Sequence, residues 1–179
     1  YLVLFKNNII SIRKNEKGVF EIQRDDSFLD EYYDLYDYVI ENCKEKDSEE
    51  IREISKANNY FNPNYNNGKE TGFTGTVYSN ETVKKILKRG YSFKITFNGK
   101  ILGYILGIDE AAYKEVYGET IEELHKSFFG REGKFLGKII YGCQAAVHPD
   151  YKGRGIAREL FRHSVSEWKN KGFDTFYGE

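Results

Sequence analysis

The amino-acid sequence predicts an α/β domain with a mixed, partly antiparallel central sheet flanked by helices. Two observations carry this prediction. Asn98-Gly99 stands between two alternating apolar runs, and Asn-Gly in that position is typical of a tight β-hairpin. Further on, a nearly all-apolar run over 138–147 is followed by a helical pattern and then by a second short apolar run. This order predicts a parallel strand–helix–strand unit beside the antiparallel hairpin.

The first residues contain three short strand patterns. Tyr1–Phe5 and Ile9–Arg13 are apolar runs around a polar Lys-Asn-Asn turn, and Val19–Gln23 alternates apolar and polar residues. We therefore assign residues 1–17 to an N-terminal extension with the pattern of a β-hairpin, and residues 18–179 to the main domain.

Apolar residues then recur at three- and four-residue steps, which predicts helices. Three helices are expected in this part of the chain: Phe28–Cys43, Asp47–Lys56 with Ser48 as its N-cap, and one capped at Ser79 or Asn80 that runs to Lys88. The segment Asn58–Thr76 is rich in asparagine and glycine and contains Pro63, so we expect a long loop there.

The remaining elements follow from the same patterns. They are strands at Tyr91–Phe97 and Ile101–Ile108, helical patches over Glu110–Phe129 interrupted at Gly118, a loop at Gly130–Gly133, a strand at Lys138–Val147, a helix at Gly155–Asn170 and a strand at Phe173–Tyr177. The strand at Lys138–Val147 is nearly all apolar, so we expect it inside the sheet with both faces covered.

Composition narrows the class of protein. The net charge of the 179-residue chain is −1, which argues against general attraction to nucleic acid or to an anionic membrane. No window approaches 18 apolar residues, and the first five residues lack the basic leader of a signal peptide. The two cysteines and three histidines have no metal-binding spacing. We expect a cytoplasmic protein without a metal site.

The stretch Lys152-Gly153-Arg154-Gly155-Ile156-Ala157 has the residue types of an anion site. It lies between the apolar strand and the next helix, where free backbone N–H groups and the helix dipole favour a bound phosphate. Two glycines without Cβ permit a close approach of the backbone, and two cations add local positive charge. An ordinary strand-to-helix turn is the alternative reading of glycines and cations alone.

These residues resemble the acetyl-CoA-binding motif of the GNAT N-acetyltransferases, Gln/Arg-x-x-Gly-x-Gly/Ala. Lys152 stands at the first position, a departure that keeps the charge, while Gly155 and Ala157 match the later ones. The close resemblance spans Lys138–Gly172, and a looser one in topology runs from Val19 to Tyr177.

The resemblance implies a GNAT-like sheet and acetyl-CoA as co-substrate. The pyrophosphate would lie on the loop and helix start, and the pantetheine arm on the backbone of the preceding strand at about Cys143–Val147. The implied coenzyme-binding residues are Ala145, Ala146, Val147, Lys152, Gly153, Arg154, Gly155, Ile156 and Ala157. Residues 109–137 are an insertion relative to a minimal domain of this family. The helix and strands with which the family ends do not follow Phe173–Tyr177, so we expect that the chain is either a fragment or is completed by a partner chain. The N-terminal hairpin and the insertion could cover the exposed strand edge or shape the acceptor site.

The sequence does not identify a catalytic base. Many family members place a carboxylate or a histidine on the central strand, but 138–147 contains neither. Tyr141 on this strand and Glu110 after the preceding strand are the candidates, with Asp109 beside Glu110. Cys143 reads as a small core residue, and His148 as a residue that shapes the turn into the loop.

The predicted function is acetyl transfer from acetyl-CoA to a primary amine of an unknown small-molecule or protein acceptor. The alternative is a GNAT-like module that binds an acyl-CoA without efficient catalysis. Binding of nucleic acid through Lys152–Gly155 is a third reading, which the near-neutral charge disfavours. A homodimer is compatible with the sequence, and no membrane partner is expected.

Overall fold

The structure of the protein, a computed structural model, describes residues 2–5, 8–14, 20–24, 38–59, 61, 74–129 and 137–178. Within these ranges, side chains are described over 38–127 and 137–178. The strands are β1 Leu2–Phe5, β2 Asn8–Lys14, β3 Phe20–Arg24, β4 Val39–Asn42, β5 Phe93–Phe97, β6 Lys100–Asp109, β7 Ile139–Val147 and β8 Thr175–Gly178. The α-helices are α1 Ser48–Ala57, α2 Asn80–Leu87, α3 Glu110–Tyr117, α4 Ile121–Phe129 and α5 Ile156–Asn170.

The described strands form one sheet in the order β3-β2-β1-β8-β7-β6-β5-β4. Its strand pairs are antiparallel except for β7 and β8, which are parallel and are connected along the chain by α5. This confirms the mixed sheet and the parallel strand–helix–strand unit. The expected cover for the last strand is also present, because β1 lies beside β8 with Leu4 opposite Phe176. The domain boundaries at residues 17 and 109–137 stay predictions.

The hairpin between β5 and β6 forms at the predicted turn. Asn98 and Gly99 have φ values of 48° and 76°, and two consecutive left-handed residues match the right-handed twist of the strands. The interruption of the helical stretch after β6 is confirmed as well. Gly118, with φ 79°, ends α3 and separates it from α4.

Two apolar layers cover the faces of the sheet. On one face, α5 packs through Leu160 and Trp168 against residues of β5 and β6 such as Phe93 and Ile105. The other face is covered by α1, α2, α3 and α4. Its buried residues include Ile51, Ile54, Val83, Ile86, Leu106, Ile108, Tyr113, Ile121 and Tyr141. Helices on both faces of a partly parallel sheet are the arrangement that the α/β prediction requires.

The prediction of a helix over Phe28–Cys43 is wrong at its C-terminal end. Residues 39–42 form β4, which pairs antiparallel with β5 so that Ile40 lies opposite Ile95. Adjacent apolar residues fit either periodicity, and pairing with an available strand edge favours the extended form for β-branched side chains. The earlier part of that prediction lies outside the described residues, as do most of the predicted loop Asn58–Thr76 and the loop Gly130–Gly133.

Two smaller predictions also need correction. Ser48 is the first residue of α1 and Asp47 occupies the N-cap, because a 3₁₀ turn over Glu45–Asp47 leads directly into the helix. The strand β7 lies inside the sheet, but it is buried only from Ile139 to Tyr141, and Ala145 is exposed. The pairing of β7 with β8 extends no further than Gly142, so the second half of β7 lacks a strand on that side within the described part of the chain.

Lys94 is a buried cation that joins the edge strand β4 to β5. Its Nζ lies 2.9 Å from Asp47 Oδ1 and 3.3 Å from Glu41 Oε1, and its side chain is 8% exposed. Burial alone would lower the pKa of Lys94, but the hydrogen bonds and charges of Asp47 and Glu41 outweigh it and raise that pKa. Lys94 therefore stays charged as part of the core.

Lys94→Met should lower the free energy of unfolding by about 2 kcal/mol, because the Asp47 carboxylate would stay buried without its cation. Urea unfolding followed by circular dichroism measures this loss. The matched control is Lys88→Met, since Lys88 Nζ lies 3.8 Å from Glu45 Oε2 in a pair whose side chains are 62% and 50% exposed. We expect the control to change stability by less than about 0.5 kcal/mol. Equal losses in the two variants would contradict the role of Lys94.

Among the described residues, no helix is both long enough and apolar enough to span a bilayer.

Candidate active site

The segment after β7 has the backbone conformation expected of an anion-binding loop. A 3₁₀ turn over Pro149–Tyr151 ends at Lys152, and Gly153 and Gly155 both have φ 75°, in the left-handed region. Gly155 is the N-cap of α5 and supplies no side-chain cap to the first N–H groups of the helix. A Cβ placed on either glycine would meet no atom within 4 Å. The two glycines thus leave space in front of α5, and no side chain of the N-cap residue occupies the start of this helix.

Cations and one aromatic ring surround this loop. The Arg154 guanidinium lies 5.1 Å from the Tyr151 ring centre and donates to the Asp150 carbonyl at 3.3 Å, and Lys100 Nζ lies 5.6 Å from the same ring. His148 Nδ1 accepts a hydrogen bond from the Asp150 N–H at 3.3 Å, in agreement with a role in shaping the turn. The loop therefore combines N–H donors with positive charge.

The second half of β7 presents backbone groups along an open edge. His148 N–H donates to the Leu102 carbonyl at 2.7 Å, so these two residues form a hydrogen-bonded pair of the β6–β7 ladder. Hydrogen-bonded and non-hydrogen-bonded pairs alternate in an antiparallel ladder. The N–H and C=O of Val147 and Ala145 therefore point away from β6, while those of Ala146 point toward it. An extended ligand could form strand-like hydrogen bonds with Val147 and Ala145 on the side of β7 that β8 does not cover.

A β-bulge in β7 stands where the open edge begins. Leu106 lies opposite Gln144, but Gly107 lies opposite Gly142, so Cys143 is an extra residue on β7. The bulge places Cys143 and Gln144 toward the same face, where Gln144 Oε1 accepts from the Tyr104 hydroxyl at 2.6 Å and its Nε2 donates to the Thr76 carbonyl at 2.6 Å. Bulges of this kind redirect a strand and often lie beside functional sites.

Tyrosines surround the bulge on the face of α3 and α4. The hydroxyls of Tyr78 and Tyr117 lie 2.5 Å apart, and the Tyr78 hydroxyl donates to the Cys143 carbonyl at 3.4 Å. Burial is the main cause that raises the pKa of Tyr117, and it raises the pKa of the Cys143 thiol to about 12. Both groups are therefore protonated at neutral pH, and the hydroxyls serve as hydrogen-bond donors.

The candidate catalytic residues lie in different surroundings. Tyr141 is buried at 5% exposure, and its ring centre is 4.6 Å from that of Tyr113 and 6.0 Å from that of Tyr177. Glu110 is an exposed residue in the first turn of α3, and a partial loss of hydration, together with the hydrogen bond to Glu122 and its negative charge, raises the pKa of Glu110.

Asp109, beside Glu110, caps α3 by accepting from the Ala112 N–H at 2.8 Å. It pairs with Ile140 near the start of β7, whereas the anion loop follows the end of that strand. The two carboxylates and the loop thus belong to opposite ends of β7.

Sequence reasoning missed four residues that the fold brings to this site. Asn58 at the end of α1 donates from Nδ2 to the Val147 carbonyl at 3.0 Å, and Tyr78 and Tyr117 reach Cys143 as described. His125 on α4 also joins the group, with its ring centre 6.1 Å from that of Tyr177. The helical pattern before Gly118 was the only sequence signal that placed Tyr117 on an element, and nothing in it indicated a contact with β7.

Among the described residues, no group of histidine, cysteine or carboxylate side chains has the arrangement of a metal site. No curated protein sequence is detectably similar to this chain.

Several solved acetyltransferases resemble the structure. The aminoglycoside N-acetyltransferase AAC(6')-Iy in complex with CoA aligns with a TM-score of 0.50 at 14% identity, over 79% of this chain and 76% of that one. A ribosomal-protein-S18-alanine N-acetyltransferase from Escherichia coli gives 0.49 at 16% identity, over 79% and 65%. The aminoglycoside acetyltransferase meta-AAC0020 from an uncultured soil metagenomic sample gives 0.48 at 17% identity, over 79% and 76%. At these identities the likeness concerns the fold.

The family of this chain is established by its amino-acid sequence. The model of the acetyltransferase (GNAT) family matches residues 69–178, which is more than half of the chain. The match includes β7 with its open edge, the loop with the two left-handed glycines, α5 and β8. The chain therefore belongs to the GNAT family of acetyltransferases, enzymes that use acetyl-CoA.

Proposed function

We propose that this enzyme transfers the acetyl group of acetyl-CoA to a primary amine on a small molecule or a protein. The observation that carries the proposal is the continuity of the open β7 edge with the left-handed loop at the start of α5. An extended arm with a phosphate at one end fits that surface, because the edge supplies strand-like pairing and the helix start supplies anion binding.

In the proposed complex, the loop residues Lys152–Ala157 hold the pyrophosphate. Ala145 would pair with the pantetheine arm through its N–H and C=O, and Val147 through its N–H, since the Val147 carbonyl accepts from Asn58. Ala146 keeps its predicted place beside the arm through its position on the strand, while its own backbone groups face β6. Ile156, which is 1% exposed, supports the helix start from the core side.

Acetyl-CoA supplies an acetyl group activated as a thioester, and the enzyme has to hold its carbonyl carbon beside an unprotonated amine. In the reaction, the amine nitrogen forms the new C–N bond, the C–S bond breaks and the thiol leaves with a proton. Alignment of the two reactants on β7 is the main contribution we assign to the chain. A backbone N–H of the open edge would stabilise the negative charge that develops on the carbonyl oxygen.

The Tyr78–Tyr117 hydroxyl pair adds polar hydrogens to the face of β7 beside Cys143. Because the Tyr78 hydroxyl donates to the Cys143 carbonyl, the Tyr117 hydroxyl has to donate to Tyr78, and the pair thereby fixes the backbone at the bulge. The described part of β7 carries no carboxylate or imidazole, and we therefore propose that the acceptor amine loses its proton to water rather than to a strand side chain. Tyr141 and Glu110 remain the catalytic candidates predicted from the sequence.

The lack of a base on β7 keeps a second function open. A GNAT-like module could bind acyl-CoA as a ligand without efficient turnover, since binding needs only the loop and the strand edge. The two functions make the same prediction for binding and opposite predictions for thiol release.

Isothermal calorimetry with acetyl-CoA should give a dissociation constant in the micromolar range or lower, of order 8 kcal/mol of binding free energy. A thiol-release assay over a panel of amines, amino acids and peptides with a free N-terminus then measures turnover. We expect at least one amine to accelerate thiol release above hydrolysis. Absence of binding at millimolar acetyl-CoA would overturn both functions, and tight binding without any amine-dependent release would favour the binding module.

The state of the two cysteines bears on the compartment in which the enzyme works. Cys43 and Cys143 are both free thiols, as a reducing compartment favours, so we propose a cytoplasmic enzyme. The homodimer and the absence of nucleic-acid and membrane partners stay predictions of the sequence.

A further inference from the structure

The peptide between Val147 and His148 lies where β7 ends and the anion loop begins. Its N–H, from His148, donates to the Leu102 carbonyl of β6 at 2.7 Å. Its C=O, from Val147, points away from β6 by the ladder alternation and accepts from Asn58 Nδ2 at 3.0 Å. Both polar ends of this peptide unit are therefore held, one by the sheet and one by a side chain from α1.

Asn58 is a rigid donor rather than an occasional surface contact. It is 2% exposed, and its Nδ2 also donates to the Ile54 carbonyl at 2.8 Å. Its backbone N–H caps α1 on the Ile54 and Ser55 carbonyls, and its own carbonyl accepts from the Thr74 N–H at 2.9 Å. Asn58 thus connects three parts of the fold: the end of α1, the segment that begins at Thr74, and the end of β7.

The strand edge that Asn58 contacts needs such support. Beyond Gly142, β8 no longer pairs with β7, so in the described structure the stretch 143–147 has a strand on the β6 side alone. The sheet holds the Val147–His148 peptide only through its N–H, so the hydrogen bond from Asn58 to its carbonyl is the second contact that fixes its orientation. Rotation of the Val147–His148 peptide would turn the Val147 edge groups and change the direction in which the chain enters the loop.

We propose that Asn58 is a positioning residue for coenzyme binding: it orients the Val147–His148 peptide so that the strand edge and the anion loop face one ligand. This inference rests on the proposed function. It also limits the hydrogen bonds that Val147 can form with the ligand, because the Val147 carbonyl is already bonded to Asn58. Ala145 is then the residue of the open edge that offers both its N–H and its C=O to the coenzyme arm, and Val147 offers its N–H.

The test compares Asn58→Asp and Asn58→Leu, which keep the approximate volume but cannot donate to the Val147 carbonyl. Calorimetry should show acetyl-CoA binding weakened by about tenfold in both variants, the effect of one lost hydrogen bond at a site of binding. Amide hydrogen exchange should become faster at His148 than in the unaltered protein and remain unchanged at Ile95. A purely structural role would lower the melting temperature without changing the dissociation constant of the folded protein.

Asn59→Leu is the matched control. Asn59 is the next residue, and its Nδ2 donates to the Thr74 carbonyl at 3.0 Å within the α1-to-α2 connection instead of to β7. We expect its acetyl-CoA affinity to stay within about twofold of the unaltered protein. An equal loss in the Asn58 and Asn59 variants would overturn the proposal, because the effect would then come from the connecting segment.

A measurement on the unaltered protein keeps the inference testable if the Asn58 variants fail to fold. Acetyl-CoA should shift the NMR signals of the Asn58 side-chain amide and leave those of Asn59 in place. Unshifted Asn58 signals at saturation would overturn the inference while the proposed function stands. Failure of the unaltered protein to bind acetyl-CoA at all would instead overturn the proposed function.

Discussion

Gly155→Val should abolish the binding of acetyl-CoA while the protein still folds. Gly155 has φ 75° at the N-cap of α5, and its missing side chain leaves open the space in front of the helix start. A branched side chain there would occupy the space proposed for the pyrophosphate and would disfavour the left-handed conformation that directs the N–H groups outward. We expect acetyl-CoA affinity to fall by at least about a hundredfold, measured by calorimetry.

The opposite end of the same helix provides the control. Gly172 follows α5 with φ 80°, and a Cβ placed on it would also meet nothing within 4 Å. Gly172→Val should therefore cost a similar amount of stability, about 1–2 kcal/mol, with no effect on acetyl-CoA binding. A comparable loss of binding in the two variants would mean that strain at either end of α5 is sufficient to weaken binding. The proposal that the loop binds the pyrophosphate would then be contradicted.

Gly107→Ala should strongly destabilise the fold although it adds a single methyl group. A Cβ on Gly107 would lie 2.8 Å from Trp168 Cζ2 and 2.8 Å from the Tyr91 carbonyl oxygen. Trp168 cannot move freely, because its Nε1 donates to that same carbonyl at 2.8 Å and its ring stacks on Phe176 with centres 5.2 Å apart. We expect the free energy of unfolding to fall by about 3 kcal/mol, measured by urea denaturation.

Gly75→Ala is the matched substitution in an open position. Gly75 has no left-handed φ, and a Cβ on it would meet no atom within 4 Å. Its stability should change by less than about 0.5 kcal/mol. If Gly107→Ala were equally mild, α5 would be able to move away from β6, and the close packing of Trp168 on this strand would have to be revised.

Most of the fold could be predicted from residue patterns. The helix prediction that was wrong concerns residues whose conformation depends on a distant segment. The Asn98-Gly99 hairpin, the break at Gly118 and the start of α5 after Gly155 all depend on backbone conformations that few residue types adopt. Residues 39–42 were misjudged because Val39 and Ile40 suit a helix and a strand alike, and the choice depends on β5, more than 50 residues away.

The candidate site divides in the same way. The anion loop of the site could be predicted from Lys152–Ala157, because closely spaced glycines and cations before a helix determine the local backbone geometry and the local charge. The other half could not be derived. Neither the bulge at Cys143, nor the Tyr78–Tyr117 hydroxyl pair, nor the hydrogen bond from Asn58 to Val147 has a sequence signal.

What residue types alone establish here is the α/β class and the anion loop, because glycine φ preferences, capping and charge act over a few neighbouring residues. What arises only in the folded chain is the open edge of β7 and the groups that hold it. The register of β6 on β7 determines which carbonyls point outward, and Asn58 meets one of them across 89 positions of sequence. Contacts between distant segments depend on how whole elements pack, and no local pattern records that packing.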